Sequence, residues 1–273
     1  MLLERFYAAK QPELAALRAS AEKNTLPAPF AGMRPDFVQA LRQRASKAPV
    51  GIIAEFKRAS PSAGVICEDL TVEDVARQYA VAGANCMSVL TEEAHFHGEL
   101  GFLKRAAAVR ETEGVPLPLL RKDFLFDRLQ VLETAATPAS AMLLIVRLTP
   151  DAKLLRSLQE EAERFKIACV VEVFDGDDLK IARDSGARII QVNARDLESF
   201  HVDRAACLHF IRRNPPENGE TWIAASGVQE KAHLGEAAEA GYDAVLVGTA
   251  LMRGGAPGRA LSRLLGKDGT ERC

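Results

Sequence analysis

The sequence predicts an α/β protein, a (β/α)8 or TIM barrel that carries an N-terminal helical extension. Short apolar runs alternate with helix-period segments from about residue 50 onward. Eight runs occur, at 50–56, 86–90, 117–121, 141–146, 168–173, 188–192, 221–225 and 243–247. Six of them end in polar or glycine-containing tips, as parallel strands do when they deliver side chains to a common rim. Alternating strand and helix argues for a parallel sheet, and eight units favour a closed barrel over an open doubly wound sheet. No G-x-G-x-x-G follows the first run, which counts against a dinucleotide-binding half.

Residues 1–48 fall outside the repeat. Segment 2–21 reads as an amphipathic helix and 35–46 as a second, with a Pro- and Gly-containing loop at 24–32 between them. The expected organisation is an extension at 1–48 packed on a barrel at 49–265, then a polar, frayed tail at 266–273. Within the barrel, 72–82, 151–165, 177–184 and 229–240 carry helical periodicity. Gly83, Gly186 and Gly241 follow three of these segments, where a left-handed C-cap favours glycine. Ala-Gly-Ala-Asn at 82–85, Ser-Gly-Ala-Arg at 185–188 and Ala-Gly-Tyr-Asp at 240–243 form a weak internal repeat of helix end, glycine and strand.

Composition excludes several classes. The chain has 273 residues, 48% of them hydrophobic, enough for one large core. Its 35 basic and 37 acidic residues give a formal charge of −2, with no global attraction to nucleic acid or to an anionic membrane. No apolar stretch approaches the roughly 20 residues of a membrane span. The start, Met1-Leu2-Leu3-Glu4-Arg5-Phe6, lacks the pattern of a secretory signal. Five scattered cysteines without a C-x-x-C pair fit reduced thiols, and a cytoplasmic location is expected. Cys86 and Cys169 lie in apolar runs and read as core.

The tips carry the chemistry. Glu55 and Lys57 alternate on one strand and share a face; a solvated outward pair is the bland alternative to a place in the mouth. Glu172 sits within Val170-Val171-Glu172-Val173-Phe174, where a carboxylate is costly unless paired, so it reads as a site residue. Of Arg121 and Lys122, one base is expected to pair with Asp123 and leave the other for a ligand. Asn193 and Arg195 suggest hydrogen bonds to an anion or hydroxyl. Three cations (Lys57, Lys122, Arg195) against two carboxylates (Glu55, Glu172) give a local charge of +1, which favours a small anion. Ser226–Gly227 and Gly248–Thr249, at the last two strand ends, offer close backbone approach and a seat for phosphate. His95 and His97 lack partners at metal-ligand spacing and read as loop residues; no metal is expected. Trp222 reads as core, and Ser60-Pro61-Ser62-Ala63-Gly64, on composition alone, as a loop.

These segments resemble the indole-3-glycerol phosphate synthase family. The resemblance runs from the N-terminal helices to about Arg253 and is densest in Ile53-Ala54-Glu55-Phe56-Lys57-Arg58-Ala59-Ser60-Pro61-Ser62 and Leu119-Leu120-Arg121-Lys122-Asp123-Phe124. Ser88-Val89-Leu90-Thr91-Glu92, Val171-Glu172-Val173, Val192-Asn193-Ala194-Arg195-Asp196-Leu197 and 246–252 continue it. It implies conversion of 1-(2-carboxyphenylamino)-1-deoxyribulose 5-phosphate to indole-3-glycerol phosphate, with loss of CO2 and water and no cofactor. By that likeness Lys122 is the general acid, Glu172 accepts or relays a proton, and Glu55 and Asn193 orient hydroxyls. Lys57 holds the substrate carboxylate and assists proton transfer. Phe96, Phe124 and Leu143 enclose the anthranilate ring. Ser60, Ser226, Gly227, Gly248 and Thr249 surround the phosphate. The implied partner is a small phosphorylated substrate, with other enzymes of tryptophan biosynthesis as candidate protein partners.

Three positions depart from the family pattern. Ala225 stands where the family usually has a glutamate before Ser-Gly, Glu99 where Phe-x-Gly usually leads to serine, and Ala63 where a lysine is common. The first two motivate an alternative, a catalytically weakened paralogue that binds a phosphorylated metabolite or a partner protein. A phosphoribosylanthranilate isomerase, the other barrel weighed, wants a cysteine and an aspartate at strand tips, and no such arrangement is present.

Overall fold

The computed structural model describes residues 2–43, 48–195 and 201–267. Eight parallel strands close on one another: β1 (Gly51–Phe56), β2 (Cys86–Leu90), β3 (Leu119–Lys122), β4 (Ala141–Ile145), β5 (Ala168–Val173), β6 (Ile189–Asn193), β7 (Thr221–Ala225) and β8 (Ala244–Val247). Each pairs with the next in sequence, and β8 returns to β1 with Gly51 to Ala54 opposite Ala244 to Val247. The predicted (β/α)8 barrel is therefore the observed fold.

Small departures from the predicted strand bounds have local causes. β3 begins at Leu119, not 117, because Pro118 has no N–H to give the ladder; its carbonyl still accepts from Met87 N at 2.9 Å. β4 ends at Ile145 because Val146–Leu148 tightens into a 3-10 turn. Helices fill the predicted gaps at Val72–Ala82, Ala152–Glu163, Gly176–Asp184 and Lys231–Ala240, the second capped by the Asp151 side chain. Gly83 and Gly241 are left-handed C-caps at φ 96° and 108°.

Strand alternation splits the core in two. Outward residues such as Ile52, Met87, Leu119, Met142, Val171, Ile190 and Trp222 pack against the helices. Inward residues such as Ile53, Cys86, Leu120, Leu143, Val170 and Ile223 fill the barrel. Trp222 and Cys86 are buried core residues as expected; Cys169 is half-buried and packs against the outer core. Among the described residues no helix is long and apolar enough to cross a membrane.

The N-terminal helices stand at opposite ends of the barrel. α2 (Phe37–Arg42) sits under the strand starts: Phe37 and Leu41 join the inner core, and Asn85 Nδ2 donates to the carbonyls of Ala40 (2.9 Å) and Gln43 (2.7 Å). The predicted helix at 35–46 is thus shorter, and its residues 44–46 lie outside the described residues, as do 268–273 of the predicted tail.

α1 (Leu2–Glu22) lies at the strand ends and buries Phe6, Lys10, Leu14 and Leu17 at helical spacing. A lysine on that face needs compensation. Lys10 is 3% exposed, and its Nζ lies 2.7 Å from Asp123 Oδ1 and 2.5 Å from Glu13 Oε2. Arg121, 1% exposed, contacts the same aspartate at 3.3 Å, Glu133 at 2.7 Å and Thr134 Oγ1 at 2.9 Å. The network clamps α1 to the end of β3.

Burial alone would raise the Asp123 carboxyl, but Arg121 and Lys10 hold it below the usual carboxylate range. Such a group stabilises the fold fully above its unfolded pKa of about 4, and the contribution fades as pH falls through the depressed folded value. Asp123→Asn should therefore be less stable than the parent at neutral pH and converge with it in acid; a pH-independent gap in urea unfolding contradicts this. Arg121→Leu, which strands buried carboxylates, should cost about 3–5 kcal/mol in the same measurement.

Candidate active site

The strand tips open into one cavity of about 660 Å³, deep enough for a drug-sized ligand. Inward alternation brings Glu55 and Lys57 from the end of β1, Lys122 from β3, Glu172 from β5 and Asn193 from β6 to its wall. Arg195, Ser226, Gly227, Gly248 and Thr249 close it on one side, and Phe96, Phe124 and Leu143 on another. The carboxylates of Glu55 and Glu172 and the ammonium of Lys122 thus share one mouth.

Glu55 is 2% exposed and accepts an ion pair from Lys57 Nζ at 2.7 Å. Its backbone carbonyl takes the Tyr79 hydroxyl at 3.0 Å, which fixes the strand end. A Cβ at position 248 would come within 2.2 Å of Glu55 Oε1, so only glycine leaves room for that carboxylate. Lys122 is half-buried and makes no ion pair among the described residues, whereas Arg121 is committed to Asp123 and Glu133. The division expected of the Arg121–Lys122 pair is the one observed.

The glycine-lined side is held by polar bonds. Asn193 Oδ1 accepts from Ser226 Oγ at 2.9 Å and from Arg195 N at 3.0 Å, which leaves its NH2 as the group it can offer a ligand. Arg195 Nη1 donates to Ser62 Oγ at 3.2 Å and so bridges the loops after β6 and β1. Burial lowers the basicity of Arg195, and nearby Glu55 offsets part of that shift. Ser226 and Gly227 are consecutive left-handed residues, at φ 73° and 82°. For Ser226 that conformation costs about 1–3 kcal/mol, a strain typical of ligand-binding loops.

Four cationic side chains (Lys57, Lys122, Arg195, Arg253) and three carboxylates (Glu55, Asp123, Glu172) line the cavity, a net charge of +1. The balance equals the one expected from the strand tips, with Arg253 and Asp123 as added members.

Ser60 is placed differently from the other sequence-selected residues. It is buried outside the cavity wall, its Oγ accepting from Ala63 N at 3.2 Å, and Ser62 of the same turn lines the cavity instead. Glu99 is exposed and also outside the wall, so it brings no negative charge to the mouth. Ala225 and Ala63 do line it. His95 bonds Glu92 at 3.1 Å and His97 bonds Glu68 at 2.5 Å; among the described residues no three His, Cys, Asp or Glu side chains cluster as a metal site. Positions 196 and 197 of the family-like motif lie outside the described residues.

Sequence reasoning missed three residues of the cavity wall, Phe6, Ser62 and Arg253. Phe6 stacks on Phe124 with ring centroids 4.0 Å apart and an 11° tilt, and lies 6.2 Å from Phe96. No local signal marks it, since its partners are about ninety or more residues away. Arg253 follows an apolar helical turn and could have been noted as a cation next to the glycine seat.

The sequence model of the indole-3-glycerol phosphate synthase family matches residues 3–264. The indole-3-glycerol phosphate synthase of Burkholderia ambifaria is 37% identical over 265 residues, which span 96% of this chain and 98% of that one. That of Koribacter versatilis is 40% identical, over 84% and 85% of the two chains. Among solved structures, a 3-hexulose-6-phosphate synthase superposes with a TM-score of 0.61 at 14% identity, covering 80% of this chain and 99% of that one. The same enzyme from Salmonella typhimurium gives 0.59 at 16% identity, over 81% of this chain and 100% of the other. At such identities the solved structures speak to the barrel fold alone. The full-length sequence matches speak to descent: the chain belongs to the indole-3-glycerol phosphate synthase family.

Proposed function

We propose that this chain converts 1-(2-carboxyphenylamino)-1-deoxyribulose 5-phosphate to indole-3-glycerol phosphate, a carboxy-lyase step of tryptophan biosynthesis. One observation carries the reading: Lys122, without an ion-pair partner among the described residues, and the buried carboxylate of Glu172 line one cavity beside an aromatic wall and a glycine-lined seat. The substrate has matching parts, a benzoate ring, a ketone, hydroxyls and a phosphate.

In this reading the ring lies against Phe96, Phe124 and Leu143, and the phosphate against Ser226, Gly227, Gly248 and Thr249, with Ser60 supporting the turn that carries Ser62. Lys122 gives a proton to the ketone oxygen as the carboxyl-bearing ring carbon attacks the ketone carbon. A fixed ammonium in a largely desolvated mouth stabilises the charge that develops there. Closure leaves a cationic iminium. Breaking the bond to the carboxylate returns its electron pair to the ring and releases CO2. The iminium is the electron sink, so the chemistry calls for no metal or organic cofactor. Loss of the new hydroxyl as water, with a proton from the adjacent carbon, then completes the indole. Glu172 accepts or relays protons in these later steps, and well-placed acid–base groups contribute typically 10²–10⁴-fold each. Lys57 meets the departing carboxylate, while Glu55, Asn193 and Arg195 hold hydroxyls.

The same reading treats 1–48 as an extension of the barrel at 49–265, with α1 closing the mouth through Phe6. It makes a small phosphorylated molecule the ligand, excludes nucleic acid and membrane as partners, and sets the work in the cytoplasm, where other enzymes of tryptophan biosynthesis are the candidate partners.

Ala225 favours a second reading, a weakened paralogue that binds such a metabolite. It lines the cavity opposite Asn193 in register, so no carboxylate reaches the hydroxyls from β7. Mixing the purified protein with the carboxyphenylamino substrate should generate indole fluorescence; tight binding with no product would favour the paralogue.

Two substitutions test the roles. Lys122→Ala should lower kcat by about 10²-fold or more with the melting temperature retained; an unchanged rate removes Lys122 from the chemistry. Ala225→Glu should raise kcat/KM by restoring a hydroxyl contact; a flat or lower value in steady-state assays means the contact is already supplied.

A further inference from the structure

We propose that Gln191 is a positioning residue for Glu172: its side-chain amide holds one carboxylate oxygen and leaves the other as the proton acceptor. The proposal rests on the reading of Glu172 given above. Glu172 and Gln191 are partners in the β5–β6 register, so both project from paired positions into the barrel. Gln191 is fully buried, and its Nε2 donates to Glu172 Oε2 at 2.5 Å.

This is the one hydrogen bond that the Glu172 carboxylate makes among the described residues. No ion pair neutralises it: Lys57 is committed to Glu55 at 2.7 Å, and Lys122 approaches no described carboxylate closely enough to pair. A buried carboxylate with one amide donor is held in orientation by that donor, and a hydrogen bond to a charged acceptor is about twice as strong as a neutral one. With Oε2 occupied from below, Oε1 is the oxygen left for a substrate proton.

The other end of the amide argues for the same role. Gln191 Oε1 is buried with no partner, and its register neighbour on β7 is Ile223. Turning the amide over would set Oε1 against the carboxylate. An apolar side chain of equal size would fill this space with no unsatisfied oxygen, so packing alone gives no reason for glutamine. The N–H donated to Glu172 does.

Gln191→Met keeps the volume and removes the donor. It should lower kcat about tenfold to a hundredfold with KM changed less than about threefold, the split expected when a reacting group is misoriented and binding is intact. In a Glu172→Gln background the same substitution should cost less than about twofold, because nothing remains to position. Equal losses in both backgrounds would make Gln191 merely structural and overturn the proposal. Wild-type kcat in Gln191→Met with an inactive Glu172→Gln overturns it too and leaves the site reading standing, whereas a fully active Glu172→Gln sinks the site reading itself. If Gln191→Met does not fold, Gln191→Glu keeps size and shape and puts an acid against Glu172; kcat should fall at least as far, and an unchanged kcat overturns the proposal.

Discussion

Closure of the barrel, with Gly51 to Ala54 in register against Ala244 to Val247, is the constraint on which the rest depends. Side chains on a strand alternate, and a one-residue slip would turn every inward residue outward. In the closed register Glu55, Lys122, Glu172 and Asn193 all reach one cavity although they come from four strands. The helices seal the other strand face, so the apolar interior beneath these tips stays dry. Charge in such a place survives only when it is held, which is why each carboxylate here has a defined donor: Lys57 for Glu55, Gln191 for Glu172, and Lys10 with Arg121 for Asp123.

The clamp on α1 joins fold and site. Asp123 lies between Lys122, which faces the cavity, and Phe124, which stacks on Phe6 of the helix. One buried ion network therefore sets both the end of β3 and the position of the helix that covers the aromatic wall. Asp123, the acid next to Lys122 in sequence, is taken by Arg121 and Lys10, so it does not neutralise the ammonium.

Much of this was legible in the sequence, because strand periodicity and tip placement are local signals. The eight runs, the glycine caps after 72–82 and 231–240, and the split roles of Arg121 and Lys122 all follow from neighbours within a few residues. What was not legible depends on distant pairs. Phe6 gains its place from Phe124, and Gln191 gains a partner only when β5 and β6 align. Seen as a run, Ile189-Ile190-Gln191-Val192 is simply a strand. Ser60 and Ser62 could not be told apart, since a turn and not a strand decides which one faces the cavity. Glu99 looked like a threat because its side-chain direction, away from the mouth, is set by the helix that starts at Gly101.

The most direct test is a crystal structure with a substrate analogue whose ketone has been reduced to an alcohol, so that ring closure cannot occur. Phosphate should lie at Ser226–Gly227 and Gly248–Thr249, the ring against Phe96, Phe124 and Leu143, and Lys122 Nζ within hydrogen-bond reach of the new hydroxyl. An analogue bound with its phosphate elsewhere, or with that hydroxyl out of reach of Lys122, would contradict it.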